Sequence, residues 1–156
     1  MPQLKIVSGG QTGVDRAALD AALACNIECG GWCPEDRKAE DGTISPHYPV
    51  TELKNAGYNK RTLQNVIDSD GTVVIYFDSL SGGTENTLLF CLEQNKPYLL
   101  IDATELTYRR TSERIQHFVD RNAINILNFA GPRASGEPLA YDYALKAITC
   151  YLKNIS

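Results

Sequence analysis

The sequence predicts an α/β domain: a doubly wound, mainly parallel sheet of five strands or slightly more, with helices on both faces. Three observations predict it. Short, almost continuous apolar runs alternate with segments of helical apolar period, which is how strands buried on both faces read. Three of those runs are followed directly by glycine-rich turns, Ser8-Gly9-Gly10-Gln11-Thr12-Gly13, Ser81-Gly82-Gly83-Thr84 and Gly131-Pro132-Arg133. The chain has 156 residues, 43% of them hydrophobic, enough for one compact domain burying roughly two-thirds of its unfolded surface.

The first strand is expected at 4–8, Leu4-Lys5-Ile6-Val7-Ser8, and a helix at 14–24, where Val14, Ala17, Ala18, Ala21 and Ala22 recur at spacings of three and four. A second strand lies around 27–31. The segment from Pro34 to about Gly57 then breaks the rhythm: it is polar, carries Pro34, Pro46 and Pro49, and exceeds ordinary connections. It reads as an ordered lid packed down through Trp32, Ile44 and Tyr48, or as a solvated insertion whose Glu35, Asp36, Arg37, Lys38, Glu40 and Asp41 face water.

Before the next strand, Leu63, Val66 and Ile67 mark the buried side of a helical turn, with Arg61 and Asn65 sharing its other face. Strands follow at 72–77, 98–101 and 124–129. Helices are expected at 84–94 (Leu88, Leu89, Leu92), 109–121 (Ile115, Phe118, Val119) and 138–153 (Tyr141, Ala144, Leu145, Ile148, Tyr151, Leu152). The whole is one Rossmann-like domain spanning 1–156. Right-handed crossovers place every βα turn on one sheet edge, where such folds bind ligands.

All three glycine turns are βα turns, so they can converge on one ligand. Glycines let the backbone turn sharply and expose N–H groups, and a helix starting there adds the positive end of its dipole. That combination predicts a phosphate-binding pocket. From the first turn the candidates are Gly9, Gly10, Gln11, Thr12 and Gly13, although Ser8 replaces the first glycine of the dinucleotide fingerprint. Thr12 and Asp15 also fit a helix cap three residues apart. Arg16 lies in a first helical turn, unfavourable for a cation, which suggests an anionic partner or a pairing with a nearby acid. The second turn adds Ser81, Gly82, Gly83, Thr84 and the first-turn acid Glu85; the third adds Gly131 and Arg133. Arg61 and Asn65 could reach across the sheet edge.

A formal charge of −4, with basic residues dispersed along the sequence, argues against a nucleic-acid partner. No apolar stretch approaches the ~20 residues needed to span a bilayer, and the first strand begins too early for a signal peptide. A cytoplasmic protein is expected, without membrane partners. Five cysteines, an odd number, give no disulfide framework. Cys25, Cys29 and Cys33 are spaced poorly for zinc and would point in different directions, so they read as reduced packing thiols and no metal is assigned.

The stretches Gly9–Arg16, Gly30–Pro34, Ala39–Gly42, Arg61-Thr-x-x-Asn65 with Asp68-Ser-Asp70, Leu80–Thr84 and Ala130–Arg133 together resemble the putative molybdenum carrier family. That family belongs among the Rossmann-like SLOG proteins, relatives of the lysine-decarboxylase-like proteins. The resemblance spans nearly the whole chain. It implies binding of a nucleotide or a phosphorylated, nucleotide-like cofactor, with molybdenum cofactor as the name-giving ligand. The related phosphoribohydrolases carry a Pro-Gly-Gly-x-Gly-Thr-x-x-Glu signature, and here Thr87 stands at the glutamate position and Leu80 at a glycine. A threonine cannot act as a carboxylate base. The leading expectation is therefore a binding or carrier protein for a small phosphorylated ligand that forms a homo-oligomer. The alternatives are a nucleotide N-glycosidase using Glu85 or a loop acid such as Glu40 or Asp41, and a nucleotide-sensing regulatory domain.

Overall fold

The structure is a computed structural model and describes residues 3–155. Its elements run β1 (Lys5–Val7), α1 (Val14–Ala24), β2 (Glu28–Gly30), β3 (Trp32–Cys33), a 3-10 turn (Glu35–Arg37), β4 (Lys38–Ala39), β5 (Gly42–Thr43), β6 (Thr51–Glu52), α2 (Tyr58–Asp68), β7 (Gly71–Tyr76), α3 (Gly82–Glu93), β8 (Tyr98–Asp102), α4 (Tyr108–Asn122), β9 (Ile126–Ala130) and α5 (Ala140–Ile155). Five strands form one parallel sheet in the order β2-β1-β9-β7-β8. The Rossmann-like expectation holds.

Crossover direction assigns the faces. The steps from β1 to β2 and from β8 to β9 run one way along the sheet, while β2 to β7 and β7 to β8 run the other. Right-handed connections therefore put α1 and α4 on one face and α2 and α3 on the opposite one. Helix α5 packs against both α1 and α4 and joins their layer. If the β9–α5 unit is counted first rather than last, the strand order becomes 3-2-1-4-5, that of the doubly wound nucleotide-binding sheet. The chain is a circular permutation of that order, and the switch point lies between β9 and β7.

Apolar side chains of β1, β7, β8 and β9 (Ile6, Val73, Ile75, Ile101, Leu127, Phe129) form the centre of the core. The alanines of α1, fully buried at 17, 18, 21 and 22, are small enough to bring that helix close against the sheet and Ile148 and Leu152 of α5. A second cluster of Leu19, Cys33, Ala39, Ile44 and Val50 anchors the 34–57 segment, with Tyr48 packed against it. The ordered-lid expectation is the one the structure bears out.

Arg37, one of the charges that a solvated insertion would leave in water, faces inward. Its guanidinium donates to the carbonyls of Ile44 (3.0 Å), Ser45 (2.8 Å), Tyr48 (3.0 Å) and Val50 (2.8 Å). A loop lacking regular partners thus satisfies its backbone through one side chain.

Two sequence expectations need correction. Arg61 and Asn65 lie on the buried face of α2 (6% and 3% exposed), while Ile67, expected inside, is 36% exposed. The charged face turns inward because Asp15 waits there with an opposite charge, described below. The strand expected at 124–129 starts at Ile126, since Ala123 takes a left-handed conformation (φ 51°) and the Ile124 N–H still bonds back to Val119. Basic residues scattered in sequence also gather in space: Lys96, Arg110, Arg114 and Arg121 line a groove between β8 and α4. The five cysteines are free thiols.

Replacing Arg37 with alanine is expected to cost about 2 kcal/mol or more, because four carbonyls lose a charged donor. Urea unfolding measures the loss, and limited proteolysis should cut first within 38–50.

Candidate functional site

Because β9 lies between β1 and β7, the turns that follow these three strands stand side by side at the carboxyl edge of the sheet. They surround a cavity of about 570 Å3, lined among others by Gly9, Gln11, Arg61, Asn65, Gly82, Gly83, Thr84, Gly131 and Arg133. Nine of the fifteen residues expected from sequence line it. Gly10, Thr12, Gly13, Arg16, Ser81 and Glu85 do not. Sequence reading missed Tyr58, Asn59, Thr62, Asn86 and Asn128 on the wall. Of these, Asn128 stands in a run of otherwise apolar strand, which is a readable signal.

Glycine is required where the turns touch. Gly13, at φ 81°, would place a Cβ 2.2 Å from the Pro132 carbonyl oxygen, so the first and third turns are pressed together backbone to backbone. Gly9 would place one 1.6 Å from Arg61 Nη1. Its bare backbone is what lets the Arg61 side chain cross the first turn.

Arg61 crosses in order to reach Asp15. Nη1 donates to Asp15 Oδ2 at 2.9 Å, and both side chains are about nine-tenths buried. Burial pushes the Asp15 carboxyl up from its ordinary value, opposed by the Arg61 guanidinium and by the Gln11 N–H, which donates to Oδ2 at 3.3 Å. The helix cap expected from Thr12 and Asp15 is absent: α1 has no side-chain cap, and the Asp15 carboxylate holds the amide of Gln11 and the arginine of α2. Arg61 Nε is buried without a hydrogen-bond partner. A guanidinium presents five donors in a fixed fork, so this one retains capacity on the cavity wall.

Asn65 beside it is committed, its amide bracketing the Trp32 backbone by accepting from N–H (2.8 Å) and donating to C=O (2.9 Å). Deeper in the cavity the buried Asn128 donates to Thr72 (3.2 Å). Thr87 is also on the wall, its hydroxyl donating to the Gly83 carbonyl at 3.0 Å. Glu85 is exposed in the first turn of α3, outside the cavity.

At the start of α3, Ser81 caps the backbone without a side-chain hydrogen bond, and among the described residues the N–H groups of Gly82, Gly83 and Thr84 have no protein acceptor. Nothing lies within 4 Å of where a Cβ on either glycine would stand. Those are orphan donors at the positive end of a helix, open to the cavity. The amides of the first turn are different, since Gln11 N–H goes to Asp15 and Thr12 N–H to the Gln11 side chain (3.0 Å).

The lid engages two more of the expected residues. Arg16 donates to the Gly10 carbonyl (3.0 Å), pairs through both terminal nitrogens with Asp41 (3.1 and 3.3 Å) and lies over the Tyr48 ring. Of the two expectations for Arg16, the nearby acid is the partner observed. Arg16 also holds the Asp41 carboxyl below its usual range. Glu40, next in line, accepts from Thr12 Oγ1, from the N–H (3.1 Å) and hydroxyl (2.5 Å) of Ser135, and lies 3.9 Å from Arg133 Nε. Desolvation acts to raise the Glu40 carboxyl, but the hydrogen bonds from Ser135 and Thr12, with Arg133 beside them, win and hold it below the ordinary 4.5. Tyr48 and Tyr141 both donate to Asp20 (2.7 and 2.5 Å), tying the lid to α1 and α5; burial and Asp20 push the Tyr48 hydroxyl up to about 12.

Comparison with known proteins agrees with this architecture. A sequence model of the circularly permutated YpsA SLOG family matches residues 6–152. A crystal structure of a putative molybdenum carrier protein from Syntrophus aciditrophicus SB is 40% identical over 97% of this chain and 96% of that one, with a TM-score of 0.94. No curated protein matches.

Two outcomes follow from the charges. Arg61→Met is expected to cost about 3–5 kcal/mol by stranding a buried carboxylate, and adding Asp15→Asn should recover most of it; chemical denaturation of the double-mutant cycle measures both. The Glu40 contact contributes stability above the ordinary glutamate value and loses it as pH falls through the depressed one. The Ser135 amide resonance should therefore hold steady down past pH 4.5 and shift only below it.

Proposed function

The chain belongs to the circularly permutated YpsA SLOG family, and from that premise we propose that it binds and carries a small phosphorylated, nucleotide-like ligand in the cavity between β9 and β7. The observation that carries this reading is the pairing of open N–H groups at the start of α3 with the unpartnered Nε of buried Arg61 on one cavity wall. Both are positive donors without an acceptor, at the switch point where doubly wound sheets take ligands. A phosphate supplies the acceptors they lack.

The solved relative bears the name putative molybdenum carrier protein, and the donors suit such a cargo in one form. They are amides and guanidinium groups, which fit the phosphate of molybdenum cofactor or an oxyanion. Among the described residues no group of three His, Cys, Asp or Glu is placed to hold a bare metal ion. A carrier role is also favoured over N-glycoside hydrolysis by Thr87, which lines the cavity where the related hydrolases have their glutamate, while Glu85 lies outside.

Native mass spectrometry of freshly purified protein is expected to show a co-purifying phosphorylated mass that falls away in Arg61→Ala. Release of free base from a nucleoside 5′-monophosphate would overturn the carrier reading. Self-association belongs to the same proposal: α3 exposes Leu89 (48%) and Leu92 (51%), and its neighbour α2 exposes Ile67. A second copy would cover them. Leu89→Lys with Leu92→Lys should convert the oligomer to monomer in light scattering, with ligand retention unchanged.

A further inference from the structure

We propose that the cleft between the first and third turns is a second oxyanion subsite, in which Glu40 of the chain itself occupies the position of a ligand's anionic group. This inference rests on the phosphate-ligand reading and specifies where a second negative group goes. The hydroxyl of Thr12, the N–H and hydroxyl of Ser135 and the Arg133 guanidinium converge on one carboxylate. Two turns from different ends of the chain supply them, so the cluster is a property of the assembled edge.

The subsite is continuous with the cavity. Gln11 lines that cavity, and its side-chain oxygen accepts from both the Glu40 N–H (2.9 Å) and the Thr12 N–H (3.0 Å); Arg133 belongs to both places. Beside them Arg61 is buried with Nε unpartnered, so the cavity wall already lacks an acceptor independently of Glu40. A ligand seated at α3 and Arg61 that carries a further phosphoryl or oxyanion group would meet the same donors that now hold Glu40.

Glu40 is built to leave. It sits with Asp41 at the tip of the short hairpin formed by β4 and β5, paired Lys38 to Thr43 and Ala39 to Gly42. The backbone of the hairpin tip is exposed, the Glu40 side chain is 19% exposed, and Gly42 has nothing within 4 Å of its Cβ position. A tetrahedral oxyanion presents more acceptors to the same donors than a carboxylate does. Its arrival expels the Glu40 carboxylate, which swings out while the backbone of the tip stays tied by the Glu40 N–H on Gln11 and by Asp41 on Arg16.

The test uses the full chain as wild type, Glu40→Ala, Glu40→Gln, and Glu40→Ala combined with Arg133→Ala and Ser135→Ala, each titrated calorimetrically with inorganic phosphate, molybdate and adenosine 5′-diphosphate. Glu40→Ala is expected to bind at least one of these about tenfold tighter than wild type, through removal of an internal charge-assisted competitor, and the triple variant should lose the gain. Glu40→Gln should fall between, guarding against a packing effect of the alanine. A gain confined to phosphate or molybdate identifies a free oxyanion as the source, and one confined to the diphosphate identifies a nucleotide as the carrier of the group; both support the subsite. Equal affinities in wild type and Glu40→Ala for all three probes, or a gain that survives in the triple variant, overturns it. Tight nucleotide binding with no probe gaining affinity in Glu40→Ala sinks this inference and spares the parent reading. A phosphate gain in Glu40→Ala with no nucleotide bound by any variant does the reverse.

Discussion

One buried ion pair organises the ligand edge. Asp15 begins α1 and Arg61 belongs to α2, helices from opposite faces of the sheet, and their contact at 2.9 Å passes over the backbone of the first turn. The cost of burying two charges is offset only when the remaining donors and acceptors are also engaged. Asp15 meets that condition through the Gln11 amide, while Arg61 meets it in part. Arg61 is also part of the cavity wall. The side chain that ties the two helices together is thus itself a piece of the cavity wall, held in place by its ion pair.

The pair also divides labour among the three glycine turns, which look equivalent in sequence. The first turn spends its amides on Asp15 and Gln11 and serves as a bridge. The turn at α3 leaves its donors open. The third turn, after β9, stands where the first turn of an unpermuted sheet would stand, with Arg133 beside Glu40 and Ser135, just beyond the turn, donating to it. A shared composition thus covers a bridge, a turn with open donors and a turn whose neighbouring donors are occupied.

Most of the fold was legible in the sequence, because strands buried on both faces announce themselves as apolar runs and glycines mark the close approaches. All five strands of the main sheet and the four helices with clear apolar period lie near their expected places. What could not be read depends on contacts between distant residues. Arg61 and Asn65 are expected on the face opposite Leu63, Val66 and Ile67 because apolar spacing alone marks the buried side; the compensating carboxylate, 46 positions away, has no local signature. The cap expected from Thr12 and Asp15 failed for the same reason, since both side chains found tertiary partners. Arg37 and Glu40 were visible as loop charges, but charge alone does not distinguish a residue that faces water from one that ties the loop down. The glycine turns were located correctly, and the difference in their roles appeared only with the strand order.

That strand order bears on how the molecule comes together. Strand β9 is central in the sheet yet last of the five in sequence, and it alone joins the β1–β2 pair to the β7–β8 pair. A chain emerging from the ribosome can form each pair locally, but the two halves remain unjoined until residues 126–130 insert between them. Closing the sheet late demands contacts of long sequence separation, which slow folding. The pocket lies at that seam, so it comes into existence only when β9 inserts and not with either strand pair alone.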